Sequence, residues 1–439
     1  MSFLNPHWSC NPPVTSVSGY GEHARDLVFS FIENDKYDIN IIDVPWGDCP
    51  RTALKDEDEK TKKISSCLLT GQLNQQPEIY VDIRIPSEFQ TIGKFNIGIT
   101  AGIETDIVSG KWIEGCNKMD LVIVPSQHAK NGFIDTLYEK VQNLPNGQTQ
   151  NIGQLKMTTP IEVLFEGADE NIYKPLTKDE IDSDFFDWLN NEVPEKFAFL
   201  FVGLWGTGGM GEDRKDVGTL VKTFYESFAN KKKQPALILK TSGATQSIID
   251  KEECLAKIKN IKSRYPKDWK LPNVYLLHGN LSSEDMNYLY NHPKVKSMVS
   301  LTHGEGYGRP LLEASMVGLP VITTGWSGQL DFLNKDNSLI LPGELKEVPE
   351  SAHWENIIIP QSKWFYVHEP SAYKALNLMY ENTNEYKRKS KILMEKNRNK
   401  FTLNKMIDKL DSIMGNHLKD QPTQVKLKLP KLKKVMETS

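Results

Sequence analysis

The sequence predicts an α/β protein built as two parallel-sheet domains that face each other across a cleft. Two observations carry this expectation. Short apolar runs, rich in Ile and Val on both faces, alternate with helical stretches, as parallel strands covered on both sides require. The alternation runs once before about residue 170 and again from Phe197, with a polar join at Asn171–Pro194. Repeated strand–helix units imply right-handed crossovers, and two such blocks imply two Rossmann-like domains.

In the first block the expected strands are Tyr37–Val44, Glu78–Ile85, Phe95–Thr100, Leu121–Pro125 and Ile161–Phe165, with a helix over Ala24–Phe31. Arg51–Gln76, which contains KDEDEKTKK, reads as a solvated loop or insertion. In the second block FAFLFVGLW, PALILKT, VYLLHG, VKSMVSLT and PVITT are strands, and a helix is expected from about Asp216 to Ala229. Helical pattern dominates from Pro370 to about Asn416. The tail KLKLPKLKKVMETS is basic and proline-interrupted, as a flexible end would be. The division expected is therefore 1–175, 195–370, helices over 371–417, and a basic tail over 418–439.

Composition narrows the class. At 39% hydrophobic and 25% charged the chain has ordinary globular composition, with length enough for two cores. The net charge of −4 supplies no global basic field to recruit nucleic acid. Cys10, Cys49, Cys67, Cys116 and Cys254 are odd in number, scattered and without a CxxC pair. They read as reduced thiols, not a disulfide framework or zinc site. No apolar run approaches the ~20 residues that span a bilayer, and MSFLNPHWSCNPP has no signal-peptide pattern, so a cytoplasmic protein is expected.

The most informative stretch is HGEGYGRPLLEASMVGLPVI, His303–Ile322. A strand runs into His303. Gly304, Gly306 and Gly308 then let the backbone turn and approach a ligand. Pro310 suits the first helical position. The free N–H groups of that helix start form an anion site at the carboxyl end of the sheet. Glu305 on the turn and Glu313 two turns later repel phosphate but suit sugar hydroxyls. The plainer alternative is a dipole-favoured Glu305 and a surface Glu313.

EGYGRPLLE matches the E-x7-E signature of the GT-B glycosyltransferases of the retaining family 4 type (glycosyl transferases group 1). The resemblance runs from about Val14 to His417 and implies a GT-B fold whose C-terminal helices cross back to the first domain. It implies that Glu305 binds donor-sugar hydroxyls and Glu313 the nucleotide ribose. Gly306, Tyr307, Gly308, Arg309 and Leu311 would meet the sugar and distal phosphate. SVSGYGEHARDLVFSFIE resembles the family's first glycine-rich loop, which places Gly19 and Gly21 at the diphosphate and His23 in the cleft on the acceptor side.

GEDRKDVGTLVKTF resembles the segment carrying the family's basic pair. Lys215 fits the second basic position. Leu204 stands where the first is usual, which leaves that role to Arg214 or Arg309, with Lys240 a further candidate. NIGITAGIETDIVSGKWIEGCNKMDLVIVPSQHAKNGF resembles the middle of the acceptor domain, so Glu104 and Asp106 become acceptor contacts and Ser126 a helix cap. Glu305, Glu104 and Lys215 are the catalytic candidates, with no residue assigned as a base. IEVLFEGADENIYKP resembles the segment that ends the first domain. His278 precedes Gly279 where the family holds the base through backbone, His303 caps a strand end, and Ser327–Gly328 help close the cleft.

Positioned cations and helix N-termini stabilise a departing diphosphate without a metal. The DxD-like Asp56–Asp58 and Asp182–Asp184 lie in a charged run and at a helix cap, so no metal is expected. No cofactor is expected beyond the nucleotide-sugar donor itself. The implied acceptor is a glycan or lipid-linked sugar. The alternative is hydroxymethylated DNA, whose phosphates Lys426, Lys428, Lys431, Lys433 and Lys434 of the tail would meet. A nucleotide-sugar 2-epimerase and a non-catalytic sugar- or DNA-binding module share the fold and are the remaining readings.

Overall fold

The computed structural model describes residues 7–55, 58–143, 148–243 and 245–418. The tail lysines lie outside the described residues. The first sheet is built from β1 (His7–Asn11), β2 (Asp38–Ile41), β3 (Ile79–Ile83), β4 (Phe95–Ile99) and β5 (Leu121–Val124). A hairpin, β6 (Tyr138–Asn143) and β7 (Thr149–Leu155), stands outside it, and β8 (Ile161–Val163) completes it. Its order is β2-β1-β3-β4-β5-β8, parallel throughout.

The second sheet uses β9 (Ala198–Leu204), β10 (Ala236–Ser242), β11 (Val274–Leu277), β12 (Val295–Ser300), β13 (Val321–Thr324) and β14 (Leu339–Leu341). Its order is β11-β10-β9-β12-β13-β14, again parallel. β15 (Gly343–Glu347) and β16 (Lys363–Val367) form an antiparallel hairpin beyond it.

Side-chain alternation explains why both sheets are covered on two faces. Leu121 and Ile123 enter one core while Val122 and Val124 enter the other. In the second sheet Ala198 and Leu200 face one core, and Phe199 and Phe201 the opposite one. The covering helices of the first domain are α1 (Gly19–Glu33), α2 (Glu59–Ser66), α3 (Gly110–Cys116) and α4 (Gln127–Asp135). α5 (Ser183–Glu192) follows in the join. The second domain carries α6 (Val217–Phe228), α7 (Ile248–Lys262), α8 (Ser283–Asn291) and α9 (Arg309–Met316).

α10 (Glu369–Glu381) packs on α6, and α11 (Thr383–Lys400) on α9. α12 (Leu403–His417) returns to the first domain, where Leu403, Met406, Leu410, Ile413 and Met414 join the core of α1 and β1. At the crossing, Ala168 donates to the Phe401 carbonyl and Leu403 to the Ala168 carbonyl. Two Rossmann-like domains thus face each other with a helical return between them.

Several elements differ from expectation. β1 was not expected, and β6–β7 and β15–β16 have no counterpart in the sequence reading. The charged 51–76 stretch is not all loop. Asp58 caps α2, which buries Thr61 and Ile64 and turns Lys60 inward onto Asp26, while Glu59, Lys62 and Lys63 face water. Asp182 caps α5 by accepting from the Phe185 amide, as its position suggested. Among the described residues no helix is long and apolar enough to cross a membrane.

The domains meet through a glycine seam. A Cβ on Gly306 would stand 2.1 Å from the Ala101 carbonyl oxygen, and one on Gly304 2.2 Å from that of Glu104. Ser126 donates to the Gly306 carbonyl at 2.6 Å, and the Gln127 amide to Asp331 at 2.9 Å. Farther along, Asp106 accepts from the Lys363 amide at 2.6 Å. Gly306→Ala is expected to cost about 1–3 kcal/mol, because overpacked atoms must part. Gly415→Ala, in an open helical position of α12, is expected to gain up to about 1 kcal/mol. Thermal or urea unfolding of the two variants checks both signs.

Candidate active site

β12 ends at Ser300, and the chain turns through residues 301–308 before α9 begins. Gly308 caps that helix at φ +97°, a conformation that strains residues with a Cβ. Pro310 occupies the second helical position rather than the first, with Arg309 ahead of it. Glu305 sits on the turn, only 7% exposed, and its amide donates to Ser327 Oγ at 2.9 Å. Lys215, one residue ahead of the α6 cap Asp216, reaches both Glu305 oxygens at 2.5 Å. Burial pulls the Lys215 pKa down, and Glu305 opposes that pull.

The charges alternate across the cleft. Arg214 lies 2.8 Å from Glu104 of the first domain and 3.9 Å from Glu305. Of the expected residues, Lys215, Arg214, Glu305 and Glu104 are therefore together, while Leu204 is exposed at the end of β9 and contributes no charge. Asp106 is close by in sequence but differently engaged: it is tied to the Lys363 backbone, 3.0 Å from its own amide to the Lys363 carbonyl.

Arg309 is not a free cation at the anion site. Its guanidinium contacts Asp26 of α1, lies 3.8 Å from Glu22 and donates to Glu313 at 3.1 Å. Lys60 of α2 approaches the other Asp26 oxygen. Burial works to raise the Asp26 pKa, but Arg309 and Lys60 overrule it and hold it at about 2. Glu313 is also met by the Tyr290 hydroxyl at 3.0 Å. Burial pushes its pKa up to about 7 against the pull of Arg309.

The remaining expected positions are distributed around this centre. Gly19 opens α1, and Gly21 lies so close to the Ser16 carbonyl that a Cβ would stand 2.1 Å from it. His23 is buried in α1 with Nδ1 unpaired, and burial lowers its pKa to about 4. Tyr307 is buried with its hydroxyl unpaired, and Leu311 packs in the second-domain core. Lys240 donates to the Gly279 carbonyl at 2.6 Å, and burial brings its pKa down to about 8. His278 pairs with Asp250 at 3.2 Å, and Ser126 caps α4 besides reaching across the seam.

Asp26, Glu22 and Glu166 were not singled out from the sequence. Glu166 follows β8, is 7% exposed, and has its pKa raised to about 7 by burial, with Arg309 opposing. The legible signal for Glu22 and Asp26 was EHARD, which places two carboxylates four residues apart on the inner side of α1. Among the described residues no cluster of His, Cys, Asp and Glu has the arrangement to hold a metal ion.

No family model matches the chain. It is 29% identical over 169 residues to the capsular polysaccharide biosynthesis glycosyltransferase CapM of Staphylococcus aureus, a stretch covering 38% of this chain and 40% of that protein. Among solved structures, sucrose-phosphate synthase from Thermosynechococcus elongatus superposes with a TM-score of 0.60 at 13% identity, over 94% of this chain and 98% of that one. HepE of Anabaena, in complex with UDP-glucose, gives 0.59 at 12% identity over 94% and 100%. A glycosyltransferase from Rickettsia africae gives 0.58 at 14% over 95% and 100%. At such identities the likeness is one of fold, and it covers both domains and the helical return. The chain has the GT-B fold.

Proposed function

We propose that the protein is a retaining, metal-independent glycosyltransferase that moves a sugar from a nucleotide-sugar donor to an acceptor hydroxyl of a glycan or lipid-linked sugar. The observation that carries this reading is Lys215 held on both oxygens of Glu305 where α6 and α9 begin. A sugar's hydroxyls and a diphosphate want the two halves of that pair separately: the carboxylate accepts from hydroxyls, and the ammonium meets phosphate. The UDP-glucose complex of HepE supports this class of donor, and the match to CapM supports a glycosyltransferase.

In this reading the donor sugar takes Glu305, which releases Lys215 to the diphosphate, with Arg214 beside it. Glu313 accepts from the ribose hydroxyls. The bond from the anomeric carbon to the phosphate oxygen breaks as the acceptor oxygen attacks the same face. The acceptor's proton passes to the departing phosphate oxygen. Charge that accumulates on the diphosphate is stabilised by the two cations and the helix N-termini. Contacts from the first domain, Glu104 among them, exclude water and orient the acceptor.

The deciding experiment incubates the full chain with a panel of nucleotide sugars, with and without EDTA, and follows nucleoside diphosphate release. Release by one of them, unchanged by EDTA, is expected. No release and no thermal shift with any of them would sink the reading.

Single substitutions separate the roles. Glu313→Ala is expected to weaken the nucleoside diphosphate and its sugar conjugate alike, by about 10–100-fold, the worth of hydrogen bonds to a charged group. Glu305→Ala is expected to weaken only the conjugate and to leave the diphosphate as tight or tighter. Calorimetry on both ligands checks the pattern.

Lys240, the further candidate for a cation that meets the diphosphate, gives that role a pH signature. Its pKa is depressed to about 8, so its charge is present below that pH and lost as pH rises through it. Diphosphate affinity is expected to fall across that window, well below the range of an ordinary lysine, and Lys240→Met to remove that step.

A further inference from the structure

The imidazole of His303 sits where three pieces of the second domain meet, and none of the roles above uses it. It is fully buried at the end of β12, two residues ahead of Glu305. Nδ1 lies 2.8 Å from the Phe365 carbonyl oxygen on β16. Nε2 lies 3.1 Å from the Gly211 carbonyl oxygen, in the segment between β9 and α6. Carbonyl oxygens only accept. Either neutral tautomer therefore points one ring lone pair at a carbonyl, and only the cation donates at both nitrogens.

The surroundings suit a cation. The ring stacks on Trp364 with centroids 4.5 Å apart at 14°, and Tyr366 lies at 4.4 Å. Asp216 Oδ2 is 3.8 Å from Nε2, and Asp213 is buried in the same segment. Burial lowers the imidazole pKa from its ordinary value, with the Phe365 and Gly211 carbonyls and the Asp213 charge acting against it; the ground for a cation is the pair of carbonyls facing both ring nitrogens. Asp213, Asp216 and Tyr366 are the titratable groups facing the ring from the 205–216 segment and from β16.

The backbone repeats the tie. The His303 amide donates to the Arg214 carbonyl at 2.9 Å, and the Phe365 amide to the His303 carbonyl at 2.9 Å. Arg214 and Lys215 follow Gly211 by only three and four residues, while residues 206–209 just before it are exposed. Where Gly211 is held therefore decides where the two cations point.

We propose that His303 is a positioning residue: donating at both ring nitrogens, it pins the Gly211 segment and the β15–β16 hairpin to the end of β12. It thereby sets Arg214 and Lys215 against Glu305. The meaning of that placement rests on the glycosyltransferase reading; the state of the ring does not.

The test uses the full chain with ¹⁵N-labelled histidine. The His303 ring signals, assigned by their loss in His303→Asn, are expected to show both nitrogens protonated at pH 7. One unprotonated nitrogen at that pH would overturn the proposal, whatever the enzyme assay gives. In parallel, His303→Leu keeps neither donor, while His303→Asn and His303→Gln each supply one. The Kd for the nucleoside diphosphate and the KM for the nucleotide sugar are expected to rise about tenfold in the Leu variant, with kcat changing less, and by less in the Asn and Gln variants. Should the Leu variant not fold, the Asn and Gln variants read the same constants. Folded variants that all bind within about twofold of wild type would overturn the positioning role. A wild-type chain that binds no nucleotide would fail the functional reading, and the ring spectrum would still decide the state of His303.

Discussion

The buried guanidinium of Arg309 is the constraint on which the two domains' relation depends. A charge removed from water must be matched by charge, and here the match is drawn from both domains: Asp26 and Glu22 from α1, Glu313 from its own helix. The contacts fix the start of α9 against the first turns of α1. Arg309 therefore serves as a structural cation, and in the glycosyltransferase reading we propose, the work of meeting phosphate falls to Lys215 and Arg214. The same cluster explains why Glu313 is pulled in two directions, raised by burial and held down by Arg309.

Around that anchor the site is assembled from short-range chemistry. Glycines at 304 and 306 bring the 301–308 turn against backbone at 101–104, closer than any side chain allows. The close approach places Glu104 within reach of Arg214, so the charge chain Glu104, Arg214, Glu305, Lys215 crosses the seam. Each member is satisfied by the next, which keeps a dense set of ionisable groups stable in a largely buried place. The cost is that a ligand has to replace existing partners rather than fill a void.

Much of this was legible in the sequence wherever the information was local. Five strands of the second sheet, β9 to β13, announce themselves through apolar runs, while β14 (LIL) is too short to do so, and the turn from His303 to Pro310 shows through its glycines and its proline. β1 escaped notice because HWSCN is short and polar-interrupted, though Trp8 and Cys10 are fully buried. The β6–β7 hairpin escaped because its side chains are mostly exposed on both faces and carry no apolar period. α2 was hidden by charge density: two buried positions, Thr61 and Ile64, are too few to show in a run of Lys and Glu. Within the site, E-x7-E was readable because both carboxylates share one turn and helix. The pairing of Arg309 with Asp26 spans 283 residues, and that of Ser126 with Gly306 spans 180. Such contacts exist only once two domains dock, and no local pattern encodes them.

The chain crosses between domains twice, and the crossings are stitched together where Ala168 exchanges backbone hydrogen bonds with Phe401 and Leu403. Two strands of a hinge tied at one point behave as a single pivot. Rotation about it displaces each contact between the domains in proportion to its distance from Ala168, the Asp106–Lys363 pair among them. Away from that pivot the seam is held by Ser126 on Gly306, by Gln127 on Asp331 and by Asp106 on Lys363. A turn at Ala168 would have to break those bonds, so the pivot and the seam act against each other.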